Sequence, residues 1–321
     1  MRFALAIVFA VAAASAAPSP VPKSLQASFA ALHPAVTLQL GKAADWVEPM
    51  EDAANDQAIW VGGREPFAVH RIDPATNKIT ATVILPGTPC AGLAHGFGSL
   101  WVPLCAKQNG LARIDLKTNK VTILPIGPGA KEGGIAVSRD SVWMVTHAKG
   151  VLSRIDPATG RVRQTVKIAP GSYNPIASDG VVWVSGHDTG VVTAVDAASG
   201  KVLAEVAVGK APRFLTAGDG AIWVLLQGTG EIVRIDARDH KVTARIAAGL
   251  AGNGGDIKFG AGKIWATLIG VPLTKIDAKT NRIEKQWTGP GGDSLAYAFD
   301  AVWLTDFKKG TVARYPAADL R

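Results

Sequence analysis

Residues 152–166 read LSRIDPATGRVRQTV, and five near-copies surround them: VHRIDPATNKITATV at 69–83, LARIDLKTNKVTILP at 111–125, VTAVDAASGKVLAEV at 192–206, IVRIDARDHKVTARI at 232–246 and LTKIDAKTNRIEKQW at 273–287. Anchored on the Asp of each copy (Asp73, Asp115, Asp156, Asp196, Asp236, Asp277), the intervals are 42, 41, 40, 40 and 41 residues. Tryptophan keeps the same register: Trp60, Trp101, Trp143, Trp183, Trp223, Trp265 and Trp303 follow one another at 41, 42, 40, 40, 42 and 38. A motif written six or seven times is architecture, and a period near 40 residues belongs to repeat folds.

One period holds four short strands. In residues 91–127, GLAHG is strand A, GFGS a tight turn and LWVPL strand B; LARID is strand C, DLKTNK a turn and KVTILPI strand D. Val, Ile, Thr and aromatics fill the strands, while Gly, Asn, Asp and Pro fill the turns. Four strands per repeat make a propeller blade, so the fold class is all-β: a seven-bladed β-propeller with four antiparallel strands per blade. The last repeat, from Leu295, runs out at Arg321 after its third strand, and AVTLQLGK at 35–42 is a strand D without a blade. The N-terminal strand is expected to close the last blade, which removes two exposed sheet edges.

The repeated Asp suits turn chemistry, its carboxylate accepting from backbone N–H groups of the C–D turn. A ring of metal-binding Asp is the alternative. The seven Trp suit packing between neighbouring blades.

Residues 1–16, MRFALAIVFAVAAASA, carry an early Arg, an apolar run too short for a membrane span and a small-residue ending. These are the marks of a secretory signal peptide, with cleavage near Ala16 and a periplasmic or secreted destination. Residues 17–34 read as a linker with a short helical turn at SLQASFAAL, and 35–321 as the propeller. The chain carries 34 Lys and Arg against 26 Asp and Glu, +8, or +7 once Arg2 leaves with the leader. The excess is spread around the ring, which fits a solvated rim and, alternatively, attraction to an anionic envelope surface. Nucleic acid is not an expected partner, since basic and aromatic residues do not cluster. The partners expected are a small-molecule or peptide ligand or another envelope protein, with the chain a monomer.

The two cysteines, Cys90 and Cys105, are symmetric about the GFGS turn. In a hairpin centred there they face each other, with Cα atoms roughly 4.5–5.5 Å apart, within disulfide reach. An oxidising compartment favours the bond; two buried thiols are the alternative.

The A–B and C–D turns on one face are short and uniform. The D–A and B–C connections on the other differ between blades, and loops that depart from a repeating scaffold carry function. They are expected to bring Glu48, Glu51, Glu132, Tyr173, Asn174, Arg213, Asn253, Asp256 and Asp293 to the mouth of the central channel. The residue four after each Trp adds Arg64, Cys105, His147, His187, Gln227, Ile269 and Phe307. The mix suits a small polar ligand at Glu51, Arg64, Glu132, Tyr173, Asn174, Arg213, Asn253, Asp256 and Asp293, or a divalent metal such as Mg²⁺ or Ca²⁺. His147 and His187, in the same register of adjacent blades, are the candidate catalytic bases; as ordinary loop histidines they would do neither job. Glycine pairs beside Glu132, Asp256 and Asp293 either admit a ligand to the backbone or permit tight turns. His95 and His240 read as structural, and His70 as exposed on a strand C.

The pattern G-x-h-W-V…h-x-R-I-D-P-x-T-x-K-V over residues 35–321 resembles the YVTN/YncE-like propellers and the virginiamycin B (streptogramin B) lyase-like family, both seven-bladed. The first resemblance implies an exported binding protein. The second implies a metal-assisted lyase opening a cyclic ester, with a His base, acidic residues and Mg²⁺. That lyase family tends to carry an acid three residues after the Trp, where this chain has Gly63, Leu104, Thr146, Gly186, Leu226, Leu268 and, once, Asp306. Its catalytic residues therefore do not carry over by motif. Six-bladed lactonase-like propellers are excluded by seven Trp registers, and WD40 by the missing GH…WD pattern. A non-catalytic ligand-binding propeller is the leading expectation, and a metal-dependent carbon–oxygen lyase or lactone hydrolase the alternative.

Overall fold

Each Asp-Pro-Ala-Thr-Gly type of turn closes on its own aspartate. Asp73 Oδ1 accepts from the N–H groups of Ala75 and Thr76, Asp115 from Lys117 and Thr118, Asp156 from Ala158 and Thr159, and Asp236 from Arg238 and Asp239. Asp196 and Asp277 each accept from the N–H three residues on. The ring of Asp is turn chemistry. The structure, a computed structural model, describes residues 21–51, 56–105 and 109–321. The reading of residues 1–16 as a signal peptide lies outside them.

The described residues form seven sheets around a central channel, antiparallel save for one added strand in blade six, with strand A innermost in each. Blade one is Ala43–Met50, Ala58–Arg64, Ala68–Asp73 and Lys78–Ile84. Strand B is the most buried; in blade two, Ser99–Cys105 is buried at every residue. Strand D is outermost, and Lys78–Ile84 is largely exposed. The seven register tryptophans, on strand B, are at most 2% exposed. Each packs into the next blade: Trp143 with Val182 and Val184, Trp183 with Leu215 and Ile222, Trp303 with Ile59 and Val61. The repeated basic residue of strand C lies over this ring. Arg113, Arg154, Arg234, Lys275 and Arg314 cover Trp101, Trp143, Trp223, Trp265 and Trp303 at 5.5–5.9 Å. Much of the basic excess is therefore a set of cation–π partners of the blade core.

The N-terminal arm straps two blades. Strand β1 (Gln26–Ser28) runs parallel to Arg282–Thr288 as a fifth strand of blade six, with Ala27 opposite Trp287. Strand β2 (Val36–Gln39) pairs antiparallel with Thr311–Pro316 and completes blade seven, as the unpaired strand D required. Between them Phe29 packs on Tyr315 at 5.6 Å. Residues 21–34, read as linker, thus hold a strand between two 3-10 turns, Lys23–Leu25 and Phe29–Ala31.

Cys90 and Cys105 are bonded, with Cα atoms 5.7 Å apart. They are not directly opposite. Thr88 pairs with Cys105, whereas Ala94 pairs with Trp101, so the hairpin slips by two residues and the disulfide spans a diagonal. His70 is not exposed: it is 5% accessible, its Nδ1 is 3.0 Å from Thr82 Oγ1, and its ring lies over Gly63, where a Cβ would meet Nε2 at 3.0 Å.

Candidate functional site at the channel mouth

A cavity of about 520 Å³ occupies the channel and is walled by the A strands or their leading residues from all seven blades. Neighbouring blades are stitched together at its mouth. Glu132 N–H donates to Cys90 O, Gly134 N–H to Tyr173 O, and Asn174 Nδ2 to Arg213 O. Ser294 Oγ donates to Asp256 Oδ2 and accepts from Val47 N–H. Gly134 has no room for a side chain, since a Cβ would meet Asn174 Oδ1 at 2.8 Å. The Gly-Gly pair after Glu132 therefore serves blade contact. Asn174, expected to face a ligand, is buried and bridges blades three to five, also donating to Glu132 O at 3.4 Å.

Above the cavity sits a ring of charge and aromatic surface. Arg213 lies over Tyr173 at 4.2 Å, and Arg64 over Phe307 at 5.0 Å. Glu132 stands between the two guanidiniums, 3.9 Å from Arg64 Nη2 and coupled electrostatically to Arg213. His187 meets Tyr173 edge-on at 5.8 Å, and its Nδ1 is 2.9 Å from Asp188 Oδ1. Burial pushes the Glu132 carboxyl up despite both arginines, and burial lowers the Arg213 guanidinium despite the acids around it.

Beneath them lie buried acids. Asp45, 5% exposed, is raised well above the ordinary carboxylate range by burial and then by the charges of Asp293 and Glu132. Asp293 is pushed up to about 6, chiefly by burial, against the pull of the Gly255 N–H at 3.3 Å. Asp256 is matched instead: it accepts from Ile257 N–H and Ser294 Oγ and pairs with Lys258 Nζ at 3.4 Å. Deeper in the channel, Glu48 Oε1 is 2.8 Å from His95 Nδ1; Glu48 was expected at the mouth and His95 as structural, and the two were not expected together.

Trp46 is the residue most at odds with the repeat. It is one of two tryptophans outside the register, and it sits at a bulge in blade one with φ 59°. Its ring reaches 6.3 Å from Phe214 of blade five, a blade that does not adjoin its own. The signal was present in the sequence as a Trp the 40-residue period does not explain.

Several expected residues do not join this site. Glu51 lies at the far end of strand A, on the opposite face, where Oε1 accepts from Phe299 N–H at 2.6 Å in the A–B turn of blade seven. The error came from reading ADWVEPM as a loop; it is a strand, and its length carries Glu51 across the molecule. His147 is exposed, and its Nδ1 accepts from Lys149 N–H within its own loop. Asn253 is exposed on the loop before blade six. The histidine pair is not assembled into a base and partner. Among the described residues no three His, Cys, Asp or Glu side chains converge as a metal would require. The acids at the mouth are turned to arginines, Lys258, Ser294 or backbone N–H groups instead of to a common point.

No family model matches the chain, and no curated protein matches it. Solved structures of similar shape are numerous. BamB from Moraxella catarrhalis superposes with a TM-score of 0.63 over 89% of this chain and 97% of BamB, at 13% sequence identity. A likeness at that identity shows a β-propeller fold and leaves activity to be argued from the site.

Proposed function

We propose that the chain is an exported, monomeric β-propeller that binds a small or peptidic ligand at the channel mouth without transforming it. The observation that carries this reading is the arrangement of Arg64, Glu132, Tyr173 and Arg213 above a cavity of about 520 Å³. A concave site with an apolar wall and a few convergent polar groups is the usual form of a ligand pocket, and its volume lies within the common range of roughly 300–1,000 Å³. The opposite face repeats one turn six times, and its hollow of about 730 Å³, lined by residues 137–140, 177–181 and 196–198, draws on two blades where the channel cavity draws on all seven. The metal-assisted lyase has no such support, because its donors do not converge.

The test is to incubate the purified, oxidised protein with an envelope extract and identify retained compounds by mass spectrometry. Arg213→Ala and a turn-face variant, Lys117→Ala, run in parallel. Retention by the wild type and Lys117→Ala, with loss in Arg213→Ala, is the expected result. Identical retention by all three contradicts a site at the mouth, and chemical conversion of the retained compound contradicts the non-catalytic reading.

A further inference from the structure

Towards the turn face, neighbouring blades meet through two residues of strand A: the one six before a register Trp packs on the one five before the Trp of the preceding blade. A Cβ on Gly96 would lie 2.6 Å from Val137 Cγ1, and one on Gly218 or Gly260 would fall within the ring of Phe259 or Tyr297. Tyr297 also stacks on Trp265, with ring centroids 5.6 Å apart. Blade five has Ala217 at this position, and His240 of its C–D turn supplies the ring instead, edge-on to Trp183 at 5.2 Å. Three consecutive interfaces, from blade four to blade seven, are thus completed by an aromatic ring.

The interface between blades three and four departs from this pattern. Its two residues are Ser138 and Ala177, and the C–D turn of blade four, DAASGK, holds no aromatic residue. The hollow of about 730 Å³ opens at this place, with Val137, Ala177, Val181 and Ala197 as its apolar lining. Packed interfaces leave few voids, so the gap marks room for something the chain does not supply. The carboxylates around it are already matched. Asp140 pairs with Arg154 at 2.7 Å, Asp179 accepts from Ser178 Oγ at 2.8 Å, and Asp196 accepts from the N–H and hydroxyl of Ser199. Arg139 is exposed to solvent. With its acids satisfied, the hollow selects by shape and apolar contact, which suits an uncharged group.

We propose that this hollow receives an aromatic side chain of a partner polypeptide, its uncharged ring seated against Ala177 as Phe259 and Tyr297 are seated in their own interfaces. The ring completes a blade–blade interface that is already built. The volume is that of a pocket for a group larger than one ring, which leaves room for the flanking peptide. Buried aromatic anchors of this kind carry much of the energy of protein interfaces. The site is separate from the mouth and does not rest on the reading given to it.

The experiment is an NMR titration of the oxidised protein, labelled in its alanine methyl groups, with N-acetyl-tyrosinamide, N-acetyl-leucinamide and p-cresol. Saturable shifts of the Ala177 and Ala197 methyls are expected with N-acetyl-tyrosinamide, at an affinity about fivefold above that of N-acetyl-leucinamide. The double variant Ser138→Gly, Ala177→Phe rebuilds the Gly218–Phe259 pair. It should lose binding, read at Ala197, with an undiminished melting temperature. Ala198→Leu enlarges an exposed residue of the lining and should weaken binding several-fold without touching the core. If the double variant does not fold, Ala198→Leu decides alone. Equal affinity for the tyrosine and leucine amides, p-cresol bound as tightly as the tyrosine amide, undiminished binding in the variants, or no saturable shift overturns the proposal. None of these outcomes alters the mouth reading, which the extract experiment with Arg213→Ala decides.

Discussion

Aspartates on the two faces of this propeller are shifted in opposite directions. On the turn face, Asp73, Asp115, Asp156, Asp196 and Asp236 are held below the ordinary carboxylate range, led by hydrogen bonds from their own turns. Asp277 is held low too, with the Lys263 ammonium as the leading cause. At the mouth, Asp45 and Asp293 are pushed up because burial outweighs the single backbone N–H that each accepts. The turn-face carboxylates stabilise the fold in their ionised form. The mouth carboxylates oppose it in theirs, so the cost to stability is concentrated at the mouth, where the loops depart from the repeat.

The largest effect should come from removing the repeat's own core. Trp143→Ala is expected to cost about 3–5 kcal/mol, the range for a fully buried aromatic, read from denaturant unfolding. Trp46→Phe, outside the register, should cost far less in the same assay; an equal loss would mean that Trp46 is ordinary core. Reduction of the Cys90–Cys105 bond comes next. Its 15-residue separation predicts a loss of about 3 kcal/mol on chain entropy. It also loosens Glu132, whose N–H donates to Cys90 O. Melting curves with and without a reductant check this.

Asp293→Asn should have the opposite sign. Asp293 titrates near 6 when folded and near 3.8 as an ordinary carboxylate, so the folded state binds the extra proton between those values. Stability therefore falls as pH rises from about 4 to 6, and the neutral amide removes that loss at pH 7, by about 1–3 kcal/mol. Melting temperatures at pH 5 and pH 7.5 should show the variant's advantage growing with pH. The smallest effect belongs to Asp156→Ala, which removes the acceptor for Ala158 and Thr159. With its folded pKa lowered, Asp156 stabilises above the ordinary carboxylate value, and that contribution fades as pH falls through its depressed pKa. The variant should melt slightly lower at neutral pH, with the difference vanishing in acid.

These contrasts also mark how far the sequence could be read. Tryptophan and Asp at a 40-residue period disclosed the blades, and the missing strand D of the last repeat disclosed closure by residues 35–42, because both follow from strand pairing alone. Strand β1 was illegible because three residues, Gln26–Ser28, carry no periodicity; its signal was Trp287, a Trp on strand D that needed a cover. Arg64, Glu132, Tyr173, Arg213 and His187 were legible as mouth residues from their loops, since blade topology sends those loops to one face. Their grouping around Glu132 was not, because it depends on side chains from four blades. Glu51 was misplaced because a charged, bulged strand reads as a loop. Glu48 and His95 were not paired because partners 47 residues apart meet only where the inner strands of blades one and two pack side by side.

The account rests on the two faces being chemically distinct, and a carbon-detected NMR titration of the aspartate carboxyls tests that most directly. The six turn aspartates should titrate below the ordinary value near 3.8, Asp293 near 6 and Asp45 well above 3.8. If Asp45 and Asp293 instead titrate with the turn aspartates, the mouth is an ordinary solvated rim and the buried site described here is contradicted.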